Sequence, residues 1–370
     1  WVRGKKEVDG YITKNGNKTM PFDVLAWGNS VGTGDKGVTA KVMEVKDFAE
    51  LEKRKDEVKG KIVFFNYPFN KTFLHGAYGD AVRYRVNGPS AAAKFGAVAV
   101  IVRSVTGAYD DYPHTGTMRY NDSFPKIAAV AISTKGADKL SADIKGDYKN
   151  ENFFIRTNCQ MLADTIGHNV IGELKGTEFA NEIITIGGHL DSWDPAEGAS
   201  DDGTGIVQSI EILRIFKTLG YRPKRTIRIV LFANEENGTR GGNKYADEAK
   251  LKNENHIMAM ESDGGAEYPR GFWCGMTKDQ FAKVQSWTKY FEPFDAAKFS
   301  FNEGGGGGAD IAPLQKYFKT AQFGLSTTGQ RYFDVHHSAS DVFEKVNAQE
   351  LNLCVVVMAT MVYLVDKYGL

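Results

Sequence analysis

Residues 183–205 read IITIGGHLDSWDPAEGASDDGTG, and the reading of this stretch decides the fold. Ile183 to Ile186 form an apolar, β-branched run that leads through two glycines to His189 and Asp191, with Asp201-Asp202 following. Three further clusters share the plan. Glu235-Glu236 lie in FANEENG behind the run Thr226 to Phe232, Asp263 lies in MESDGG behind His256 to Met260, and His336-His337 lie in DVHHSASD. Unbroken apolar runs of this length read as strands buried on both faces, the pattern of a parallel sheet. The stretches Gly205 to Leu219 and Gly241 to Leu251 between them read as helices. The class is therefore α/β, with a mixed, mostly parallel central sheet flanked by helices. Sites in such sheets gather at the carboxyl ends of the strands, where the clusters fall.

Between about Gly37 and Thr157 the elements are shorter. Lys61 to Phe65, Ala97 to Val102 and Phe124 to Ile132 read as strands, and Pro89 to Phe95 as a short helix. Asp47 to Val58 reads as a helix with Asp47 as its N-cap and Gly60 near its C-cap. This block has no cluster of ligand-type residues, and His75 and His114 stand in turn-rich surroundings expected at the surface.

Composition excludes several function classes. Lys+Arg and Asp+Glu both number 46, for a formal net charge of zero, and no basic run with interleaved aromatics points to nucleic acid. The longest apolar run, Leu351 to Val365, is shorter than the ~20 residues of a membrane helix and is closed by Asp366-Lys367, so it reads as a buried or interface helix. Cys159, Cys274 and Cys354 are scattered and odd in number, which suits buried apolar positions better than disulfides or metal ligands. The chain opens on Trp1-Val2-Arg3-Gly4, which reads as the cut end of a longer precursor without its signal segment.

Histidine and carboxylate together are zinc ligands, and two metals held close need a shared carboxylate. An economical assignment gives one metal His189 and Asp263, the other Glu236 and His337, with Asp201 bridging. Glu235 is then left as general base, taking a proton from the attacking water and delivering it to the leaving amine. Asp191, two residues past His189, is expected to hold the second nitrogen of that imidazole. His336, beside a ligand, is expected to donate a hydrogen bond to the developing oxyanion.

Each residue has a plainer reading. A lone Asp-Asp or Glu-Glu is usually a solvated loop, Asp202-Gly203 suits a turn, and His256 and His168 suit structural roles in or before a strand. Only their joint occurrence favours a site. The run Gly304 to Gly308 lacks GxGxxG spacing and a Walker lysine, so it reads as a flexible loop near the site. Asp310 is expected to cap a helix from Ile311, with gripping a substrate amine as its alternative role, and Arg331 is a candidate partner for a substrate carboxylate.

With these residues placed, the chain resembles the family of zinc-dependent aminopeptidases and glutamate carboxypeptidases over nearly its whole length. The resemblance rests on WVRG, PHTG at Pro113 to Gly116, GHLDSWD, GASDDGTG, LGYRPKRTIRIVLFANEENG, MESDGG and HHS. It implies a phosphorylase/hydrolase-like zinc exopeptidase fold and two Zn2+ per chain on His189, Asp201, Glu236, Asp263 and His337. Glu235 would be the base, and a cis peptide would join Asp201 to Asp202. A water between the metals would attack the peptide, and His336 would stand where some relatives carry a tyrosine. It also implies a protease-associated domain at 37–157 inserted into a catalytic domain made of 1–36 and 158–370. A homodimer and a secreted or periplasmic location follow from the same kinship. Two other readings share the fold: a receptor-like protein without catalysis, and a single-zinc glutaminyl cyclase.

Overall fold

The computed structural model describes residues 1–4, 8–73 and 76–370, so His75 lies outside the described residues. In chain order its first nine strands are β1 (Asp9–Lys14), β2 (Asn17–Pro21), β3 (Val24–Ala26), β4 (Val38–Ala40), β5 (Val42–Val45), β6 (Ile62–Phe65), β7 (Ala99–Arg103), β8 (Ala128–Ile132) and β9 (Asn152–Arg156). They form a four-stranded sheet, β2-β1-β9-β4, and a five-stranded sheet, β3-β8-β7-β6-β5. Both belong to one compact unit, Trp1–Asp164 with Phe333–Ser340. The three apolar runs expected here as strands are β6, β7 and β8, buried along nearly their whole length. Asp47 caps the helix Phe48–Lys53 as expected, accepting from the Glu50 amide at 2.7 Å.

One expectation for this unit is corrected. The short helix foreseen at Pro89 to Phe95 spans Ala77–Ala93, with Pro89 inside it. It buries Tyr84, Arg85 and Gly88 among small alanines, so its buried face carries little apolar periodicity for the sequence to show. Within residues 1–36, β1 pairs with β9 and β3 with β8.

The second unit comprises Thr165–Tyr332 and Asp341–Leu370. Its strands are β10 (Val170–Leu174), β11 (Phe179–His189), β12 (Arg225–Phe232), β13 (Asn255–Glu261), β14 (Pro269–Gly275), β15 (Lys298–Asn302) and β16 (Ala321–Thr327). They form one sheet in the order β10-β12-β11-β13-β16-β14-β15. The pairs β11·β12, β11·β13, β13·β16 and β14·β15 are parallel, while β10·β12 and β14·β16 are antiparallel. The sheet is thus mixed and mostly parallel, as its apolar runs foretold. From β11 the chain crosses through helix Thr204–Thr218 to β12 on one side, then through helix Arg240–Leu251 to β13 on the other. That reversal opens a crevice at the carboxyl end of β11, the usual place for a ligand in an open α/β sheet.

The core under this sheet is aliphatic and aromatic. Ile184, Ile186, Met258, Met260 and Phe323 pack with Val357, Met358, Met361 and Val365 of helix Ala348–Tyr368. This helix alone among the described residues is long and apolar enough to cross a membrane, yet it is a core element. Asn347 starts it by accepting from the Gln349 and Glu350 amides. All three cysteines are buried, as expected of scattered apolar thiols. His256 is a satisfied core histidine, held by Thr185 at 2.9 Å and Glu254 at 2.9 Å. His168 is exposed rather than structural.

Candidate active site

His189 closes β11 and is 1% exposed, so its ring cannot be left to solvent. Its Nδ1 lies 2.7 Å from the carbonyl oxygen of Asp191, which fixes the proton there and turns Nε2 into a lone-pair donor. Nε2 stands 3.1 Å from an oxygen of Asp201 and 3.5 Å from one of Asp263. One imidazole nitrogen facing two carboxylates, His189 at the end of β11, Asp263 just past β13 and Asp201 in the loop after β11, is a donor set that fits zinc.

The backbone of the loop after β11 explains how the acids are aimed. Ser200 and Asp201 donate their amides to the carboxylate of Asp341 at 2.8 and 3.0 Å, and the peptide between Asp201 and Asp202 is cis. Asp202 turns the other way. It accepts from the backbone amides of His189 and Gly205, both at 3.0 Å. His189, Asp202 and Asp263 do place donor atoms within 4.8 Å of one another. We nevertheless read Asp202 as a brace, because each of its oxygens already holds an amide. Gly205 is required by this packing: a Cβ there would lie 2.0 Å from the Ser262 carbonyl oxygen.

Asp191 differs from expectation. Its carboxylate does not hold His189; its carbonyl does. The carboxylate instead accepts the amides of Glu235 at 2.9 Å and Glu236 at 3.2 Å. Strand alternation, which suggested the original role, no longer applies once β11 has ended at His189. Glu236 is 8% exposed and accepts from the Trp193 indole at 2.5 Å. Asp191→Ala is therefore expected to loosen both glutamates while leaving His189 oriented. Zinc affinity should fall about 10–100-fold in competition with a chelator; an unchanged affinity would show that the glutamates are held by other contacts.

The electrostatics are those of several buried acids crowded around one imidazole. Burial and then the Asp263 charge raise Glu235 to about 8, against the pull of His189. Burial raises Asp263 to about 6 and Asp310 to about 7, with His189 opposing both shifts. Burial disfavours the His189 cation, but its contacts with Asp201 and Asp263 outweigh that and raise its pKa.

Other residues correct or extend the sequence reading. Asp310 caps no helix: the 3-10 helix Ala312–Lys316 has no side-chain cap, and Asp310 is fully buried. Arg331 is engaged by Glu350 at 2.7 Å, which removes it as a ready carboxylate receptor. Tyr332 is buried, and its pKa is raised first by burial and then by the charges of Asp201 and Asp263. Trp193 and Asp341 were not foreseen, although both stand inside the motifs GHLDSWD and DVHHSASD that drew attention to their neighbours.

His336 and His337 belong to the segment Phe333–Ser340 of the first unit. Within it, His114 Nδ1 meets the His336 carbonyl at 2.6 Å, and the Thr115 amide donates to the His337 carbonyl at 2.8 Å. His337 adopts a left-handed backbone with φ 60° and sets its Nδ1 3.1 Å from the Thr115 carbonyl. Its Nε2 is thereby left as the donor, the same device as at His189. The motif PHTG thus serves to hold the histidine pair. His114 is 1% exposed rather than on the surface, and burial lowers its pKa to about 3.

The sequence pattern of Peptidase family M28 matches residues 169–362. Carboxypeptidase Q of Mus musculus is 33% identical over 344 residues, covering 92% of this chain and 70% of its own length. The same protein from Xenopus laevis is 33% identical over 368 residues, covering 99% of this chain and 75% of its own length. Among solved structures, the peptidase M28 precursor of Shewanella amazonensis SB2B superposes with a TM-score of 0.90 at 32% identity, over 98% of this chain and 80% of that one. A zinc aminopeptidase from Bacillus subtilis shares the fold at a TM-score of 0.64 and 18% identity, over 98% of this chain and 82% of that one.

Proposed function

The chain belongs to peptidase family M28, in the branch of carboxypeptidase Q, and is a zinc metallopeptidase; from that premise we propose a di-zinc exopeptidase that hydrolyses dipeptides or other short peptides. The observation that carries this reading is the His189 Nε2 facing Asp201 and Asp263, with Glu235 held alongside by Asp191. We assign His189 and Asp263 to one zinc, Glu236 and His337 to the other, and Asp201 to both. The ring orientations of His189 and His337, each with Nδ1 on a backbone carbonyl, support their share.

When bound, two zinc ions supply positive charge that polarises the scissile carbonyl and makes the attacking water more acidic. Glu235 takes the proton of that water and delivers it to the leaving nitrogen. The carbon–oxygen bond forms first and pushes the carbonyl electron pair onto oxygen; the carbon–nitrogen bond breaks as that pair returns, and the proton ends on the new amine. His336 donates a hydrogen bond to the carbonyl oxygen as charge builds on it. The first unit, built around residues 37–157, is assigned as a protease-associated domain, and kinship with carboxypeptidase Q supports an extracytoplasmic location.

Dialysis against a chelator is expected to abolish dipeptide hydrolysis, and added zinc to restore it. A zinc-loaded protein that hydrolyses none of a broad dipeptide panel would favour the receptor-like reading. One that instead cyclises N-terminal glutamine would favour the cyclase.

A further inference from the structure

The loop that leaves β11 is tied to the loop that leaves β12 at three levels, all within the second unit. The Leu190 amide donates to the Phe232 carbonyl at 2.6 Å, and the Asp191 carboxylate takes the amides of Glu235 and Glu236. Those contacts fix backbone. Two residues further on, the Trp193 indole donates to Oε2 of Glu236 at 2.5 Å, a contact that reaches the carboxylate itself.

Trp193 is 5% exposed, yet among the described residues it joins none of the apolar core clusters. A tryptophan buried for packing alone would be expected in one of them. Its loop folds tightly on itself: Gly198, at φ 67°, passes so close to Ser192 that a Cβ would lie 2.4 Å from the Ser192 Cβ. The ring is therefore presented by a constrained segment, and it has few torsions of its own to fix.

An indole N–H donates and does nothing else, so it cannot bind a metal in the acid's place. Its bond to a carboxylate is charge-assisted and holds one oxygen firmly. Glutamate has more rotamer freedom to lose on ordering than a shorter acid, and a contact that removes this freedom in advance favours metal binding at a fixed place.

We propose that Trp193 is the positioning residue that fixes the Glu236 carboxylate for zinc, the indole occupying Oε2 and turning Oε1 to the ion. The inference rests on the zinc assignment above and sharpens it. The zinc on Glu236 depends on the indole, while the zinc on His189 and Asp263 does not.

Trp193→Phe keeps an aromatic ring and removes the N–H. Titration of the stripped full chain with zinc, in competition with a chelator, is expected to show one of the two equivalents weakened about 10–100-fold and the other bound as before. Peptide hydrolysis should fall at limiting zinc and recover as zinc is raised, which a general loss of packing would not do. Two unchanged equivalents overturn the proposal, and so does an equal loss at both. A second measurement leaves residue 193 untouched. With isotope-labelled tryptophan, the five indole N–H groups are followed by NMR. Glu236→Gln, which removes the acceptor's charge, is expected to shift one of these signals upfield, and zinc is expected to move the same signal in the unsubstituted protein. No indole signal that responds to Glu236→Gln overturns the proposal. If the unsubstituted protein takes up one zinc only, the di-zinc reading fails and Trp193 is judged on that ion: affinity lowered by Trp193→Phe upholds its role, and unchanged affinity overturns it.

Discussion

Glu235→Gln is expected to slow dipeptide hydrolysis roughly 10²–10⁴-fold, the contribution of a positioned general base, while zinc content stays as it was. The substitution preserves shape and leaves the backbone amide of residue 235 on Asp191, so the loop should not move. What is lost is the ability to accept a proton from water and pass it to nitrogen. Glu235 is suited to that task because Asp191 fixes its backbone together with that of Glu236, which lets neighbouring side chains diverge. The loss should appear in kcat with little change in KM, since the glutamate acts on the transition state more than on the bound peptide. Near-normal turnover with full zinc would remove Glu235 from the mechanism.

Asp201→Asn carries the second large effect. Asp201 stands 3.1 Å from His189 Nε2, and its amide is pinned by Asp341, so its carboxylate is aimed by backbone rather than by chance. As the proposed bridge it serves both zinc ions. Its neutral replacement is expected to leave about one zinc per chain and to cut activity by roughly 10²–10³-fold, the equivalent of several kcal/mol of charge stabilisation. Asp202→Asn is the informative contrast. Asp202 braces the amides of His189 and Gly205, so its replacement should lower thermal stability more than zinc stoichiometry. Equal zinc loss in the two variants would reverse the roles given to this pair.

Some of this was legible in the sequence, for identifiable reasons. The runs that became β11, β12 and β13 are buried on both faces, so hydrophobicity alone marked them, and their ends marked the crevice. Most of the helix Ala77–Ala93 escaped notice because its buried side includes Arg85, Gly88 and Pro89, which carry no apolar period. The carboxylate of Asp191 was misdirected because residues beyond a strand end no longer alternate. His114 looked like a turn residue until the pairing of PHTG with the His336-His337 backbone gave it a buried partner.

The central claim is that two zinc ions act together in each chain. Stripped enzyme titrated with zinc, with dipeptide hydrolysis followed at each addition, tests it most directly. The account predicts that activity continues to rise up to two equivalents per chain and is flat beyond them. A plateau at one equivalent, confirmed by metal analysis of the active protein, would contradict it.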